Sequence, residues 1–258
     1  MPSFPTRAGD APPPLTPDTA LFLDLDGTLL ELEEHPSAVR VDPPLRRLLA
    51  DLADALDGAL ALVSGRAIAD LDRLLAPLAL PSAGQHGLEW RGGDGVLRRH
   101  PAPPLTDGIE RAMAAFAAAH PGTLFEPKGA SFAVHFRGRP EAARAATALV
   151  TDLAGRAGTG WEVLHGKMLV ELRPAGAHKG AGIRRLLELR PFAGRRPVFL
   201  GDDWTDEDGF VAVNDLGGVA VAVGVDRDTH ARYRLGGVAD VLAWLRRGAA
   251  ALPARGHT

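Results

Sequence analysis

The sequence predicts an α/β protein, a doubly wound parallel-sheet core interrupted by a smaller α+β insertion. Three observations carry that reading. Short, unbroken apolar runs alternate with amphipathic helical periodicities from residue 19 to about 90, and again from 181 to 247. Strands covered on both faces read as continuous apolar runs, which is the mark of a parallel sheet between helical layers. Between the two stretches the order changes to helix, strand, strand, and it does so twice. Finally, three of the core strands stop at polar residues, Asp24-Leu25-Asp26, Ser64 and Asp202-Asp203.

Each element has its own justification. Thr19 to Leu23 is an apolar strand that ends at carboxylates. Pro43-Pro44 opens a helix in which Leu45, Leu48, Leu49, Leu52 and Leu56 share one face. Ala59 to Val63 is a second buried strand, ending at Ser64-Gly65-Arg66, and Ile68, Leu71, Leu74 and Leu75 mark the next helix. Leu80 to Trp90 reads as a third strand followed by a loop. Residues 105–120 are helical in pattern. Thr123–Gly129 and Ser131–Phe136 read as two strands joined by a turn. Pro140 to Arg156 is helical, with proline suited to the first turn. Trp161–Leu164 and Met168–Leu172 form a further strand pair, with His165-Gly166-Lys167 as its hairpin tip. Alternation then resumes with a helix over Ala181–Leu189, strands over Pro197–Leu200 and Gly218–Val223, and a closing helix over Val238–Arg247. The expected core spans 1–104 and 177–258, and the insertion spans 105–176. Residues 1–18, rich in proline at 12, 13, 14 and 17, read as a loose, extended leader.

Composition removes several function classes. The 258 residues carry 29 basic and 32 acidic side chains, a net charge of −3. No basic excess is available for nucleic acid. Cysteine is absent, so disulfides, thiolate metal sites and cysteine nucleophiles are excluded. No apolar stretch approaches the roughly 18 residues of a membrane span. A cytoplasmic location is expected. Of the 29 basic residues only Lys128, Lys167 and Lys179 are lysine. Where arginine is the default cation, a retained ammonium invites a specific reason.

In a doubly wound sheet, ligands bind outside the carboxyl ends of the strands. Asp24-x-Asp26, Ser64 and Asp202-Asp203 all fall there, and Lys179 opens the helix after the insertion. Two carboxylates from separate strands, Asp24 and Asp202, make an oxygen-rich site for a hard cation such as Mg²⁺, which takes a few carboxylates together with waters and a substrate phosphate. A carboxylate such as Asp24 can attack phosphorus as a nucleophile. Asp26 is placed to exchange protons with the leaving oxygen and with water. Ser64 and Lys179 can hold the phosphoryl oxygens and balance their charge. Each residue alone has an ordinary reading: a capped turn, a helix N-cap, a solvated lysine or an acidic loop. Their arrival at one sheet edge decides for phosphoryl transfer.

Asp24-Leu25-Asp26-Gly27-Thr28-Leu29-Leu30, Ser64, Lys179 and Gly201-Asp202-Asp203 resemble, in order, the four motifs of the haloacid dehalogenase-like phosphohydrolase superfamily. That resemblance implies a Rossmann-like hydrolase core with an α+β cap domain for substrate recognition. It implies Mg²⁺ held by Asp24, Asp202 and the backbone carbonyl of Asp26, with Asp206 in support. It also implies catalysis by Asp24, Asp26, Ser64 and Lys179 through an aspartyl phosphate. Ser64-Gly65-Arg66, Gly84 to Glu89, Glu126-Pro127-Lys128, His135-Phe136-Arg137, Glu171 to Pro174 and the loop Gly201 to Asp208 are similar to the trehalose-6-phosphate phosphatase family. The substrate implied is trehalose 6-phosphate, in trehalose biosynthesis, with a functional link to a separate trehalose-phosphate synthase. Another sugar phosphate is the alternative substrate. A non-catalytic regulatory protein on the same fold is the remoter one.

The same resemblance implies that Glu126, Lys128 and Glu171 bind the distal glucose, with Arg66 and His86 nearer the core. Carboxylates accept paired hydroxyl hydrogen bonds and an ammonium donates them, which suits an uncharged sugar. On its strand, Glu171 alternates and has a solvent-facing reading as well. His135, between Val134 and Phe136, reads as structural. Trp204 either lines a sugar entrance or packs beneath the acidic loop.

Overall fold

Five buried residues without a polar interruption, Thr19–Leu23, form β1 and set the middle of the larger sheet. A computed structural model describes residues 11–32, 39–100, 108–128, 131–166 and 168–253. The elements that follow β1 are α1 (Pro43–Ala55), β2 (Leu60–Val63), α2 (Ile68–Leu75), β3 (Ser82–Gly84), β4 (Glu89–Arg91) and β5 (Leu97–Arg99). Next come α3 (Ile109–Ala119), β6 (Leu124–Pro127), β7 (Phe132–His135), α4 (Ala143–Ala157), β8 (Trp161–Gly166) and β9 (Leu169–Pro174). The chain closes with α5 (Lys179–Leu187), β10 (Arg196–Gly201), α6 (Glu207–Asp215), β11 (Val219–Val223), β12 (Tyr233–Leu235) and α7 (Val238–Ala251).

Contacts divide the chain into two compact units, Met1–Arg99 with His178–Thr258, and His100–Ala177. The first unit holds an eight-stranded sheet in the order β12-β11-β10-β1-β2-β3-β4-β5. β1 pairs in parallel with β10 on one side and β2 on the other, so the winding reverses at β1. Leu23 lies beside Leu200 and Leu62, which brings the ends of all three strands to one edge. The interior of this unit is aliphatic, with Leu21, Leu23, Leu49, Leu60 and Val221 among its buried members. The helices follow the expected faces; α1 buries Leu45, Leu48, Leu49 and Leu52, and its N-cap Asp42 accepts the Leu45 N–H at 2.8 Å.

The second unit is a four-stranded antiparallel sheet in the order β6-β7-β9-β8 with α3 and α4. Its two helix–strand–strand halves meet where β7 pairs with β9. Met113, Phe132, Val134, Val150, Trp161 and Leu172 fill its own apolar core.

Three local differences from the sequence expectation have simple causes. The region after β3 is not only a loop: Glu89–Arg91 folds back antiparallel on β3, and Leu97–Arg99 follows. These strands are three residues long, too short to show a period. The acidic stretch after Gly201 runs into α6, whose buried Phe210, Ala212 and Val213 lie beyond the charged residues that dominate the pattern. The leader reading fails for residues 12–17. Leu15 is buried against the Gly248 position, the Pro12 carbonyl accepts from Trp244 Nε1 at 3.3 Å, and the Pro17 carbonyl accepts from Arg195 at 2.9 Å. Residues 1–10, the expected boundary at 104/105 and Lys167 lie outside the described residues. Among the described residues, no helix is long and apolar enough to cross a membrane.

Phe22 is fully buried in β1 and stacks on Phe192 with ring centroids 5.4 Å apart. Truncating such a side chain loses its transfer free energy and leaves a cavity, about 3–5 kcal/mol in sum. Phe22→Ala is therefore expected to lower the urea-unfolding free energy by that amount, with the unfolding slope unchanged. A loss below about 1 kcal/mol would contradict the packing described.

Candidate active site

The site begins where the three central strands stop. Asp24 follows β1 and its N–H donates to the Leu200 carbonyl of β10 at 3.0 Å. Asp202 follows β10, and Ser64 follows β2 with its N–H on the Ala83 carbonyl of β3 at 2.9 Å. Lys179 is the first residue of α5. A switch in winding direction leaves an opening at such an edge, where loops rather than helices cover the strand ends. Asp24, Ser64, Lys179 and Asp206 are all buried, and Asp206 has no exposed surface. Burial rejects the solvated readings of Lys179 and, within the acidic loop, of Asp206. Ser64 is not a helix N-cap either, since α2 is preceded by Ala67 without a side-chain cap; its Oγ accepts the Arg66 N–H at 3.2 Å.

Lys179 organises the carboxylates. Its Nζ lies 2.7 Å from Asp206 Oδ1 and 3.0 Å from Asp24 Oδ1. Asp206 turns its other oxygen to the N–H groups of Asp202 and Asp203, at 3.0 and 2.9 Å. Thr28 Oγ1 donates to Asp202 Oδ1 at 3.2 Å. A side chain at residue 27 would overlap the Asp202 carboxylate, and the left-handed backbone there (φ +84°) also favours glycine.

Asp24, Asp202 and Asp206 each offer an oxygen, and these lie within 4.8 Å of one another. Three carboxylates face one ammonium, so the cluster holds excess negative charge in a buried place. Burial raises the Asp24 carboxyl well above the usual range; Lys179 opposes the rise, and Asp206 and Asp202 add to it. Burial and the charge of Asp206 push Asp202 up to about 6. Asp206 is raised as well, by burial. Burial works against the Lys179 ammonium, yet Asp206 and Asp24 outweigh it and raise its pKa. A hard divalent cation with all-oxygen preference fits this donor set in charge and in chemistry.

Asp26 stands in a different environment. Its carboxylate receives Arg66 in bidentate fashion, Nε to Oδ2 at 2.6 Å and Nη2 to Oδ1 at 2.8 Å. His86 is buried beside the Ser64–Arg66 loop and donates its backbone N–H to the Ser64 carbonyl at 3.0 Å.

The remaining sugar-reading candidates cluster in the second unit. Across its sheet Glu126 pairs with Ala133, and Ala133 with Glu171, so the two acids share one rung on the strands either side of β7. Lys128 Nζ lies 3.0 Å from Glu171 Oε2 and 3.9 Å from Glu126 Oε2. Glu171 is 1% exposed, which rejects its solvent-facing reading. His135 Nε2 lies 2.7 Å from Glu126 Oε2, a contact that holds the Glu126 carboxyl below its ordinary range against the effect of burial. Sequence reasoning left His135 as structural and gave Thr28 no separate role. The signal for His135 was its place diagonal to Glu126 on the same face of the β6–β7 pair, where it stands opposite Leu124, and reading that needs the register. Trp204 does not pack beneath the loop: it is 65% exposed, with the Arg227 guanidinium 3.9 Å over its ring.

Comparison with known proteins agrees over most of the chain. A family model described as trehalose-phosphatase matches residues 22–239. The trehalose-6-phosphate phosphatase of Escherichia coli (strain K12) is 43% identical over 237 residues, covering 90% of this chain and 87% of that protein. A probable trehalose-phosphate phosphatase of Sinorhizobium fredii (strain NBRC 101917 / NGR234) is 45% identical over 205 residues, covering 80% and 77% respectively. Among solved structures, the C-terminal domain of Candida albicans trehalose-6-phosphate phosphatase matches with a TM-score of 0.77. Its identity is 23% and the match spans 91% of this chain and 93% of that one, so this likeness speaks for the fold.

The raised carboxyls make stability depend on pH. A carboxyl whose folded pKa exceeds its unfolded value binds its proton more tightly in the folded state. Its contribution is complete below the unfolded value of 3.8 and is lost as pH rises through about 6 for Asp202. The metal-free chain is therefore expected to lose thermal stability between about pH 4 and about pH 6. Asp202→Asn removes the titrating group and should show a smaller loss over the same interval. Equal losses in parallel calorimetric scans would show that Asp202 charges as an ordinary carboxyl.

Proposed function

This chain belongs to the trehalose-phosphatase family, and we propose that it hydrolyses trehalose 6-phosphate to trehalose and inorganic phosphate with Mg²⁺ as its cofactor. The observation that carries the reading is the cluster of Asp24, Asp202 and Asp206 at the shared edge of β1 and β10, with Asp24 and Asp206 buried against Lys179. Phosphoryl transfer asks mainly for positioning and charge compensation, and this edge supplies both.

Asp24, Asp202 and Asp206 would hold the cation, with the Asp26 carbonyl as a further oxygen ligand. Bound there, Mg²⁺ supplies charge neutralisation for the phosphoryl oxygens and for the carboxylates themselves. The chain's own residues do the rest. An Asp24 carboxylate oxygen forms a bond to phosphorus as the bond from phosphorus to the sugar oxygen breaks. Asp26 gives a proton to the departing oxygen. In the second half Asp26 takes a proton from water, the water oxygen bonds to phosphorus, and the aspartyl bond breaks to free phosphate. Ser64 and Lys179 steady the phosphoryl oxygens throughout.

Specificity belongs to the second unit in this reading. Glu126, Lys128 and Glu171 offer two carboxylates and an ammonium to sugar hydroxyls, and a mismatched sugar leaves buried polar groups unpaired. His135 holds Glu126 in its charged form. Trehalose 6-phosphate is the product of a trehalose-phosphate synthase, and we link the chain functionally to such an enzyme. A protein without cysteine suits a reducing compartment, and we place the enzyme in the cytoplasm.

Phosphate release is the direct test. With Mg²⁺, trehalose 6-phosphate should exceed glucose 6-phosphate, sucrose 6-phosphate and mannosyl-3-phosphoglycerate by about 10³-fold in kcat/KM, and a flat profile would remove the sugar assignment. Chelation should abolish turnover and Mg²⁺ restore it. Asp24→Asn should lower kcat by about 10³-fold or more with the fold intact. Lys128→Ala should raise KM for trehalose 6-phosphate about tenfold or more, with a smaller effect on a generic aryl phosphate.

A further inference from the structure

The Ser64–Arg66 loop is held in an unusual way. Gln85, His86 and Gly87 form a single tight turn in which all three residues have positive φ, at +48°, +55° and +90°. Two successive non-glycine residues in this region are uncommon, and such conformations persist only when their surroundings dictate them. Here the surroundings are two parts of the active site. On one side, the Gln85 N–H donates to the Arg66 carbonyl at 2.9 Å and the His86 N–H to the Ser64 carbonyl at 3.0 Å. The His86 ring covers residue 65 so closely that a Cβ there would lie 2.7 Å from its Nε2. On the other side, a Cβ at residue 87 would lie 2.7 Å from the His178 carbonyl, and Arg185 of α5 donates to the Gly87 carbonyl at 2.6 Å. The turn is therefore wedged between the loop that carries Arg66 and the start of the helix that carries Lys179.

What that wedge fixes is the Arg66 side chain. Its backbone is tied at both ends, through its N–H to Ser64 Oγ and through its carbonyl to Gln85. Its guanidinium is 13% exposed and gives two N–H groups to the two oxygens of Asp26. A bidentate fork sets the plane of a carboxylate as well as its position, which a single-point ammonium cannot do. Asp26 has no other anchor of this kind among the described side-chain contacts.

We propose that Arg66 is a positioning residue for Asp26 rather than a sugar ligand, seated by the Gln85–Gly87 turn so that one Asp26 oxygen faces the proton-transfer partner. The inference rests on the phosphatase reading given above. Arg66 neither gains nor loses a proton in it. Asp26 alone passes one proton to the leaving oxygen and later accepts one from water, and the guanidinium keeps the carboxyl plane constant through both steps. Misplacement of a reacting group by about 1 Å costs on the order of 10²-fold in rate. The loss should thus fall on kcat.

The experiment compares wild type with Arg66→Lys and Arg66→Gln, using trehalose 6-phosphate and an activated aryl phosphate. The expected result is a kcat about 10- to 100-fold lower for the sugar phosphate with KM changed by less than about threefold. An aryl leaving group needs no proton, so its first turnover should stay close to the wild-type rate while later turnovers slow, giving a burst of the phenolate. A raised KM with kcat retained would make Arg66 a sugar ligand and overturn the proposal. So would wild-type kcat in Arg66→Lys, or a first aryl turnover that falls as far as the sugar turnover. If either variant unfolds, guanidinium added to folded Arg66→Ala decides instead: recovery of kcat without a change in KM is expected, and no recovery overturns it. Failure of the phosphatase reading itself is separate, because wild type would then release no phosphate from any sugar phosphate.

Discussion

An ammonium with almost no exposed surface, lodged between two carboxylates, is the constraint on which the catalytic edge depends. Lys179 reaches Asp24 after β1 and Asp206 in the turn after β10, so one side chain ties together two strand ends and the first residue of α5. Burying such charges is costly in desolvation, and ion pairs of this kind rarely stabilise a fold relative to apolar packing. Their retention here follows from the chemistry. Without the ammonium, three carboxyls with interacting charges would have to protonate or part, and the Asp202–Asp206 turn would lose the carboxylate that caps its N–H groups. With it, the cluster keeps an excess of negative charge that a divalent cation can answer.

The larger sheet was legible because both of its signals are local. Unbroken apolar runs name the strands, and polar residues directly after them name the functional edge. Asp24, Ser64, Lys179 and Asp202 come together as expected because β10, β1 and β2 are neighbours in parallel register. Other features needed distances that no periodicity contains. The antiparallel β4 and β5 are three residues each, and the docking of Leu15 against α7 spans most of the chain. The acidic run after Gly201 reads as chemistry and hides the start of α6. His135 looked structural from its apolar neighbours, yet from opposite Leu124 its ring reaches diagonally to Glu126. Arg66 looked like a sugar contact because its motif accompanies one; only the side-chain geometry shows it on Asp26.

In the function proposed above, the two units divide the chemical problem. A phosphoryl group is charged, and what it requires is fixed dipoles, cations and carboxylates held rigidly. The candidate groups for this are residues at strand ends and a helix start in the first unit. A disaccharide is uncharged and presents hydroxyls, which require acceptors and donors at several points. In that proposed function the second unit supplies them along one rung of an antiparallel sheet, where Lys128 lies close to the carboxylates of both Glu126 and Glu171. Without that ammonium the two acids would repel, so Lys128 both donates and makes the acceptor pair tenable. Two of the three lysines in an arginine-rich chain thus serve the same physical purpose, a compact cation between carboxylates, in two separate settings.

Asp24 and Asp26 are two residues apart and must do different work. The fold separates them by environment rather than by distance. Asp24 continues a buried strand and lies in the company of Lys179, Asp202 and Asp206, the setting proposed above for a nucleophile and cation ligand. Asp26 lies on the turn that follows, is 29% exposed, and meets a guanidinium outside that cluster. Gly27 follows Asp26. Its left-handed backbone turns the chain within one residue, and its missing side chain leaves room for the Asp202 carboxylate. Pairs of carboxyls acquire distinct catalytic roles when their surroundings differ in burial and in charge. Here the difference is created by a point charge on one side and a planar fork on the other. Exchanging those two cations, with lysine at 66 and arginine at 179, would conserve every formal charge and defeat both functions. The fork would not fit between Asp24 and Asp206, and the ammonium would not orient Asp26.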